Sequence, residues 1–436
     1  MSTAVNQSAP GGAARQAAAG LPRLLPQTPE DLRAHLGRYG PTPYRGRTGA
    51  LIADVEASGL TGRGGAAFPV HRKLAAVARA GVRQGRTVVV ANGAESEPAS
   101  RKDELLLQLA PNLVLDGLQL TAEAVGAAEA HLYLHAAPGP QILRALAERA
   151  ARGLDRVAVT ITQAPPRFLA GQETAVVNRL GGGPALPTFQ PPRVSERGLG
   201  GAPTLVQNVE TLAHLALIAR YGPRWFRAVG TAAEPGSMLT TIYRPDAKAH
   251  VREAAIGTPL RTLLGDDAGV QAWLVGGYHG TWLPMPDAAG ITLDNASLRR
   301  FGAAAGAGVL AALPADRCGL TEAARVVGYL AAESAGQCGP CLNGLPRIAA
   351  ALAELAGQGH RRQTLADLKR WSGPQNLVEG RGACNHPDGT VRFVRSALAV
   401  FEPEIRRHAR GQCSGTSRHP FLPLPGGLPT SEEDWT

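Results

Sequence analysis

Lysine is nearly missing from this chain: of its 45 basic residues only Lys73, Lys102, Lys248 and Lys369 are lysines. The others are arginines, set among many alanines and glycines, a pattern of genome-wide bias rather than of a binding surface. The formal net charge of +10 is scattered and aromatics make up only 5%, so the basic stripe with interleaved aromatic faces of a nucleic-acid binder is lacking. At most the charge suits an acidic electron-transfer partner. No run of roughly 18 or more apolar residues occurs, and the N-terminus has no charged segment leading into an apolar one. The expectation is a cytoplasmic chain that does not span a membrane. Cysteine is scarce as well. Cys318, Cys338, Cys341, Cys384 and Cys413 cannot form the disulfide framework of a small secreted domain, and a close pair in a reducing compartment points to metal or redox chemistry.

A chain of 436 residues exceeds what one core organises, so several domains are expected. Residues 1–28 and 411–436 are small, polar and rich in Pro and Gly, and read as flexible tails. Between them, 29–235 alternates helix and strand: a helix over 70–81, the β-branched run at Thr87–Ala91, one long helix over 103–127, and strands over 131–136 and 157–163. Strands separated by helices give βαβ units and a largely parallel sheet. From 236 to 312 short strands surround the helix "TPLRTLLGD", an α+β module. From 313 to 410 apolar residues recur at helical spacing, which predicts a bundle.

Four motifs carry chemistry. Gly62-Arg63-Gly64-Gly65-Ala66-Ala67-Phe68-Pro69 precedes a helix bearing Lys73; its glycines admit a phosphate or flat ring close to the backbone, and the plainer account is a tight turn. "ANGAESEP" places Asn92, Glu95 and Glu97 just past a strand, where α/β sheets bind ligands, or where a loop simply caps a helix. Gln172 and Glu173, with Gln207 and Asn208, sit at apolar helix starts and suit either ring hydrogen bonding or capping. The fourth motif is Cys338-Gly-Pro-Cys341 with Cys384 downstream. A thioredoxin pair follows a buried strand, whereas "AARVVGYLAAES" before this one has helical spacing. An iron–sulfur loop fits better. A zinc site remains open, with His386 near Cys384.

The order of "GLTGRGGAAFP", "ANGAESEPASRKD", "GQETA" with "PTLVQNVETLA", and "ESAGQCGPC" resembles the NADH-binding flavoprotein subunit of respiratory complex I and the related diaphorase subunits of hydrogenases and formate dehydrogenases. The resemblance implies a Rossmann-like FMN domain, a ubiquitin-like β-grasp module and a helical bundle carrying a [4Fe–4S] cluster. It implies hydride transfer from NAD(P)H to FMN, then electron transfer to the cluster and to a ferredoxin-like or membrane redox partner, with the chemistry carried by FMN rather than by catalytic side chains. By carry-over, Gly62, Arg63, Gly64, Gly65, Lys73, Asn92, Glu95, Gln207 and Asn208 line FMN. Phe68, Glu97 and Glu173 face the nicotinamide nucleotide, and Cys338, Cys341 and Cys384 ligate iron.

The chain also departs from the family pattern. Ala67 replaces a glycine, Ala94 an aspartate, Gln172 a glutamate and Gln207 an asparagine. A Lys-Pro-Pro-Phe segment appears as Gln190-Pro-Pro-Arg193, and the aromatics after Lys73 are Leu74-Ala-Ala76. Lost stacking faces weaken a dinucleotide more than a flavin, at about 1–3 kcal/mol per contact. Ala335 stands where the first cluster cysteine belongs, leaving three thiolates for a [3Fe–4S] cluster, for a [4Fe–4S] cluster with a non-cysteine ligand or with Cys318 or Cys413 in the empty place, or for no cluster at all. Two rival readings follow: a relay fed by ferredoxin without NADH, or a degenerate structural subunit of a redox complex.

Overall fold

The β-branched run Val88-Val89-Val90 forms the centre of a four-stranded parallel sheet. The computed structural model describes residues 20–135, 137–265, 268–357, 362–426, 429 and 432–436. In it β1 (Val88–Gly93), β2 (Glu129–Leu134), β3 (Val159–Gln163) and β4 (Thr204–Asn208) lie in the order β3-β2-β1-β4. Side chains alternate along β1. Val89 and Ala91 enter a core with α2 (Ala50–Ser58), α3 (Val70–Gln84), α5 (Pro111–Val125) and α8 (Val209–Arg227), while Val88 and Val90 face α7 (Glu173–Leu180) on the other side. Both faces are covered, as a parallel sheet requires. Gly117 lets α5 and α8 meet, because a Cβ there would lie 2.0 Å from the Leu212 carbonyl oxygen.

The single helix expected over 103–127 is two, α4 (Lys102–Leu109) and α5. Pro111 is the first residue of α5, and a residue before proline is pushed out of helical backbone, so Ala110 sits at φ −134° and ψ 51°. Two further helices, α1 (Leu32–Tyr39) and α6 (Pro140–Ala151), complete this part of the chain.

The second sheet combines β5 (Ser237–Arg244), β6 (Ala247–Ala255), β7 (Val270–Val275), β8 (Thr281–Pro284) and β9 (Val309–Pro314) in the order β6-β5-β9-β7-β8. β5 and β9 run parallel and the other pairs antiparallel. β7 alternates too: Trp273 and Val275 pack with the short helix α9 (Leu260–Leu264), whereas Ala272 and Leu274 pack towards the C-terminal helices. Beyond the short helix α10 (Asn295–Leu298), the last helices are α11 (Gly319–Ala332), α12 (Leu345–Ala356), α13 (Arg362–Ser372), α14 (His386–Val400) and α15 (Glu402–His408). Among the described residues no helix is long and apolar enough to cross a membrane.

Both expected tails need correction. Residues 1–19 lie outside the described residues, but Arg23 and Leu24 are buried and their amides donate to Glu253 Oε2 at 2.6 and 2.8 Å. At the other end, Leu422 and Trp435 are buried in the helical core. The Phe421 and Leu422 amides donate to the Glu322 carboxylate, and the Tyr278 hydroxyl donates to the Pro423 carbonyl. Composition hid a few large apolar anchors among prolines and glycines.

Candidate functional site

A cavity of about 350 Å³ opens between the two sheets, within the range of small-molecule sites. One wall is the turn between α2 and α3. Its neck is closed by the Gly62 amide donating to the Phe68 carbonyl at 2.9 Å and the Val70 amide to the Leu60 carbonyl at 3.1 Å, while Gly64, Gly65 and Ala66 line the space. Gly65 takes φ +107°. Ala67 takes φ +49°, the one non-glycine residue in positive φ among the described residues. A Cβ on Gly64 would stand 3.3 Å from Asn208 Cβ, so the turn lies close against the end of β4. Glycines of the second sheet's loops form the facing wall: Gly276, Gly280 and Gly306.

Among the expected residues the structure draws a distinction. Glu97, Gln172, Gly64 and Gly65 reach the cavity. Glu97 Oε2 accepts the Tyr278 amide at 2.8 Å, and burial pushes its carboxyl up to about 7 although that amide and Ala99's hold it down. Gln172 Oε1 caps α7 by accepting from the Thr174 and Ala175 amides. Lys73 and Glu173 meet as an ion pair at 2.6 Å, and Lys73 Nζ also donates to the Val206 carbonyl at 2.7 Å. Asn92 Nδ2 donates to the Gly171 carbonyl at 2.9 Å. Asn208 Oδ1 caps α8, and the buried Gln207 has no partner for its Nε2 among the described residues. Phe68 is half exposed.

The side chains of Arg63 and Glu95 are not brought to the cavity, and Gly62, Phe68, Lys73, Asn92, Glu173, Gln207 and Asn208 do not line it either. Arg63 is buried behind the turn, where Nε donates to the Ser237 carbonyl at 3.1 Å and Nη1 to Thr61 Oγ1 at 2.8 Å. Glu95 caps α4, accepting from the Lys102, Asp103 and Glu104 amides at 2.7, 3.2 and 3.1 Å, so the capping account holds for it. Sequence reasoning missed the buried set behind this loop, in which Lys102 Nζ contacts Asp103 Oδ1 at 2.7 Å and Glu210 Oε2 at 2.9 Å. Burial raises Asp103 to about 7, and Lys102 holds Glu210 at about 2 against its own burial. "RKD" and "VET" showed the charges but not their burial.

Cys338, Cys341 and Cys384 converge around the turn after α11. Burial, then the neighbouring Cys338 and Cys384, pushes the Cys341 thiol up to about 12, and burial also raises Cys384. Ala335 packs its methyl towards the apolar core of these helices. Cys384, Asn385 and His386 also line the cavity, so the cysteine group and the cavity share a wall. In that wall His279 Nε2 and His386 Nδ1 lie 3.0 Å apart, and His386 Nε2 faces the Leu330 carbonyl at 2.8 Å. Burial lowers both imidazoles, His386 to about 4, so both are neutral at pH 7. The carbonyl requires the proton on His386 Nε2, which leaves Nδ1 to accept from His279. Phe168 stacks edge-on to His279 at 4.7 Å. Only His386 was noticed in the sequence, for its place beside Cys384. Cys318 and Cys413 lie elsewhere, at the opposite end of α11.

Comparison with known proteins places two family models on the chain. The Nuo51 FMN-binding domain matches residues 55–217, and the NADH-ubiquinone oxidoreductase-F iron-sulfur binding region matches 321–408. The chain is 29% identical over 397 residues to the second F-type subunit of NADH-quinone oxidoreductase of Rhizobium meliloti (strain 1021), covering 86% of this chain and 91% of that one. It is 28% identical over 388 residues to the F-type subunit of the same enzyme of Escherichia coli (strain K12), covering 84% and 86%. Among solved structures, a chain of an NAD+-reducing [NiFe]-hydrogenase in the H2-reduced state is similar at a TM-score of 0.74 and 28% identity, over 87% of this chain. The match spans 64% of that longer chain.

Proposed function

The chain belongs to the family of NADH-binding flavoprotein subunits of complex I and related diaphorases, and from that premise we propose that it takes electrons from NAD(P)H through FMN and an iron–sulfur cluster to a partner subunit of a redox complex. The observation that carries this reading is the shared wall, in which one cavity is bounded by the glycine turn at one side and by Cys384 at the other. When bound, FMN supplies the exchange between the two-electron chemistry of a nicotinamide and the one-electron chemistry of a cluster.

The residues fit both groups. For FMN there is a cavity of suitable volume, a glycine turn in which a Cβ added to Gly64 would crowd Asn208, and a buried Gln207 amide without a partner among the described residues. For the cluster there are three converging thiols, of which Cys341 and Cys384 are disfavoured as thiolates by burial until a metal holds them. Ala335 offers no ligand, so the cluster is [3Fe–4S], or [4Fe–4S] with a non-cysteine fourth ligand.

Gly62, Gly64 and Gly65 let the main chain approach the flavin. Lys73, ion-paired to Glu173, fixes the start of α7 beside β4, and Asn92, Gln207 and Asn208, at the ends of β1 and β4, would face the flavin. Arg63 and Glu95 support the cradle from behind. Glu97, Glu173 and Phe68 face the nicotinamide nucleotide. We read 29–235 as the Rossmann-like FMN domain, 236–312 as a ubiquitin-like β-grasp module and 313–410 as the cluster-bearing bundle. The partner is a ferredoxin-like or membrane redox protein, which holds the chain at the cytoplasmic face.

Anaerobic purification with flavin, iron and acid-labile sulfide analysis tests the reading, and an EPR spectrum of the oxidised protein shows a paramagnetic [3Fe–4S] cluster if one is present. A colourless protein without flavin or iron would end it. Gln190 and Arg193, in place of a cation and an aromatic, favour a second reading in which electrons enter from a ferredoxin-type donor. Flavin bleaching by reduced ferredoxin but by neither NADH nor NADPH would select it.

A further inference from the structure

The two cysteines outside the cluster loop are not isolated. Cys318 caps the start of α11, with the Thr321 amide 3.4 Å from its Sγ. Glu404 and His408 lie one turn apart on α15, and Cys413 lies five residues beyond the end of that helix. One ligand atom from each of these four residues falls within 4.8 Å of every other, and all but Cys413 are buried. Cys318 Sγ is 3.5 Å from His408 Nε2 and 4.0 Å from Glu404 Oε1, and His408 Nε2 is 3.1 Å from Glu404 Oε1.

These separations resemble the edges of a tetrahedron around one metal ion. With zinc bonds of about 2.3 Å to sulfur, 2.0–2.1 Å to nitrogen and 2.0–2.2 Å to oxygen, the edges come to about 3.4–3.8 Å. We propose that Cys318, His408 and Cys413, with Glu404 as fourth ligand, form a structural zinc(II) site. Four protein ligands leave no open position, which is the mark of a structural site rather than a catalytic one. Two thiolates and an imidazole select a borderline-soft divalent ion over magnesium or calcium. The Glu404 carboxylate is oriented by Ser414, whose amide and hydroxyl donate to it at 2.7 and 2.6 Å.

The site has a mechanical consequence. The segment after Cys413 runs along the start of α11, where the Thr416 and Ser417 amides both donate to the Asp316 carbonyl at 2.9 Å, before Leu422 enters the core. A metal at Cys413 pins the base of that segment. The site is separate from the cluster loop, because the 14 residues of α11 extend about 21 Å at 1.5 Å per residue. Neither Cys318 nor Cys413 therefore replaces the ligand missing at Ala335, and the site does not depend on the flavin reading.

Elemental analysis of the full chain, purified anaerobically, should find about one zinc per chain beside its iron and flavin. Cys413→Ser and Cys318→Ser should lose the zinc while iron and flavin stay unchanged, and a chelator too weak to strip iron should lower Tm. Titration of reduced, zinc-depleted wild-type protein with Co2+ alone should give tetrahedral d–d bands and thiolate-to-cobalt charge transfer, a readout that needs no variant. The proposal is overturned by zinc retained in Cys413→Ser, by loss of iron together with zinc, by absence of both zinc and the cobalt bands, or by a Cys318–Cys413 disulfide in the anaerobic protein.

Discussion

Ala67→Gly should stabilise the protein, against the general trend that glycine weakens a fold. Ala67 sits at φ +49° in the turn facing the cavity, a conformation that costs an L-residue roughly 1–2 kcal/mol. Its methyl is exposed, so removing it gives up no buried contact. Glycine returns about 0.4–1 kcal/mol of freedom to the unfolded chain, which leaves a net gain of about 0.5–1 kcal/mol. That raises Tm of the domain carrying the turn by about 1–3 °C. Gly65→Ala is the counterpart, since it adds a Cβ at φ +107° on the cavity wall and should lower both Tm and FMN occupancy. FMN affinity should change by less than about twofold in Ala67→Gly, because Gly64, Gly65 and Ala66 line the cavity and Ala67 does not. Differential scanning fluorimetry and FMN titration of both variants decide the matter. A drop in Tm for Ala67→Gly, or a neutral Gly65→Ala, refutes the strain argument.

Glu97→Gln tests the buried carboxyl. Burial raises the Glu97 pKa from 4.5 to about 7, so its contribution to stability is present in full below about 4.5 and is lost as pH rises through about 7. The Tm of wild type should therefore fall relative to Glu97→Gln across that window and run parallel above it; parallel curves throughout would remove the shift. Ala335→Cys should raise iron content towards that of a [4Fe–4S] cluster and abolish the EPR signal of an oxidised [3Fe–4S] cluster, and unchanged iron and spectrum would mean the position does not face the cluster. Phe189 is 81% exposed beside the groove that Gln190 and Pro192 line. If it supplies a stacking face worth about 1–3 kcal/mol, Phe189→Ala should raise the NADH KM roughly fivefold or more at unchanged flavin content. An unchanged KM would rule it out.

The parallel sheet was legible because Thr87–Ala91 and the run at 157–163 are β-branched, 131–136 is a short apolar run, and helical periodicity separates the three. The helix break at Ala110–Pro111 was legible in principle from the proline, and the unbroken apolar spacing on either side outweighed it. The C-terminal segment misled for a different reason. Its Pro and Gly content resembles a linker, and only the few large residues that fill the core, Leu422 and Trp435 among them, distinguish it from one. Within the site, Glu95 and Gln172 illustrate the limit of motif reading. A carboxylate or amide just past a strand or before a helix serves a ligand or a backbone amide equally well, and these two serve the backbone.

What no sequence pattern announced is that the cavity is made jointly by the two sheets. Gly276-Gly277 and Gly306 look like ordinary turns, yet a Cβ on Gly277 would fall 2.4 Å from Glu97 Oε2, and one on Gly306 would fall 2.5 Å from the Gly276 carbonyl oxygen. The Tyr278 amide in the same loop donates to Glu97. The second sheet's loop therefore packs against a carboxyl borne by the segment after β1, and it brings His279 against His386 beside Cys384. Contacts of this kind join segments about 180 residues apart and follow no helical or strand period. The same geometry explains why one cavity can touch both a glycine cradle and a cysteine group. The second sheet's loops line the cavity between them, and Phe168, His279 and His386 form part of the same wall as Cys384.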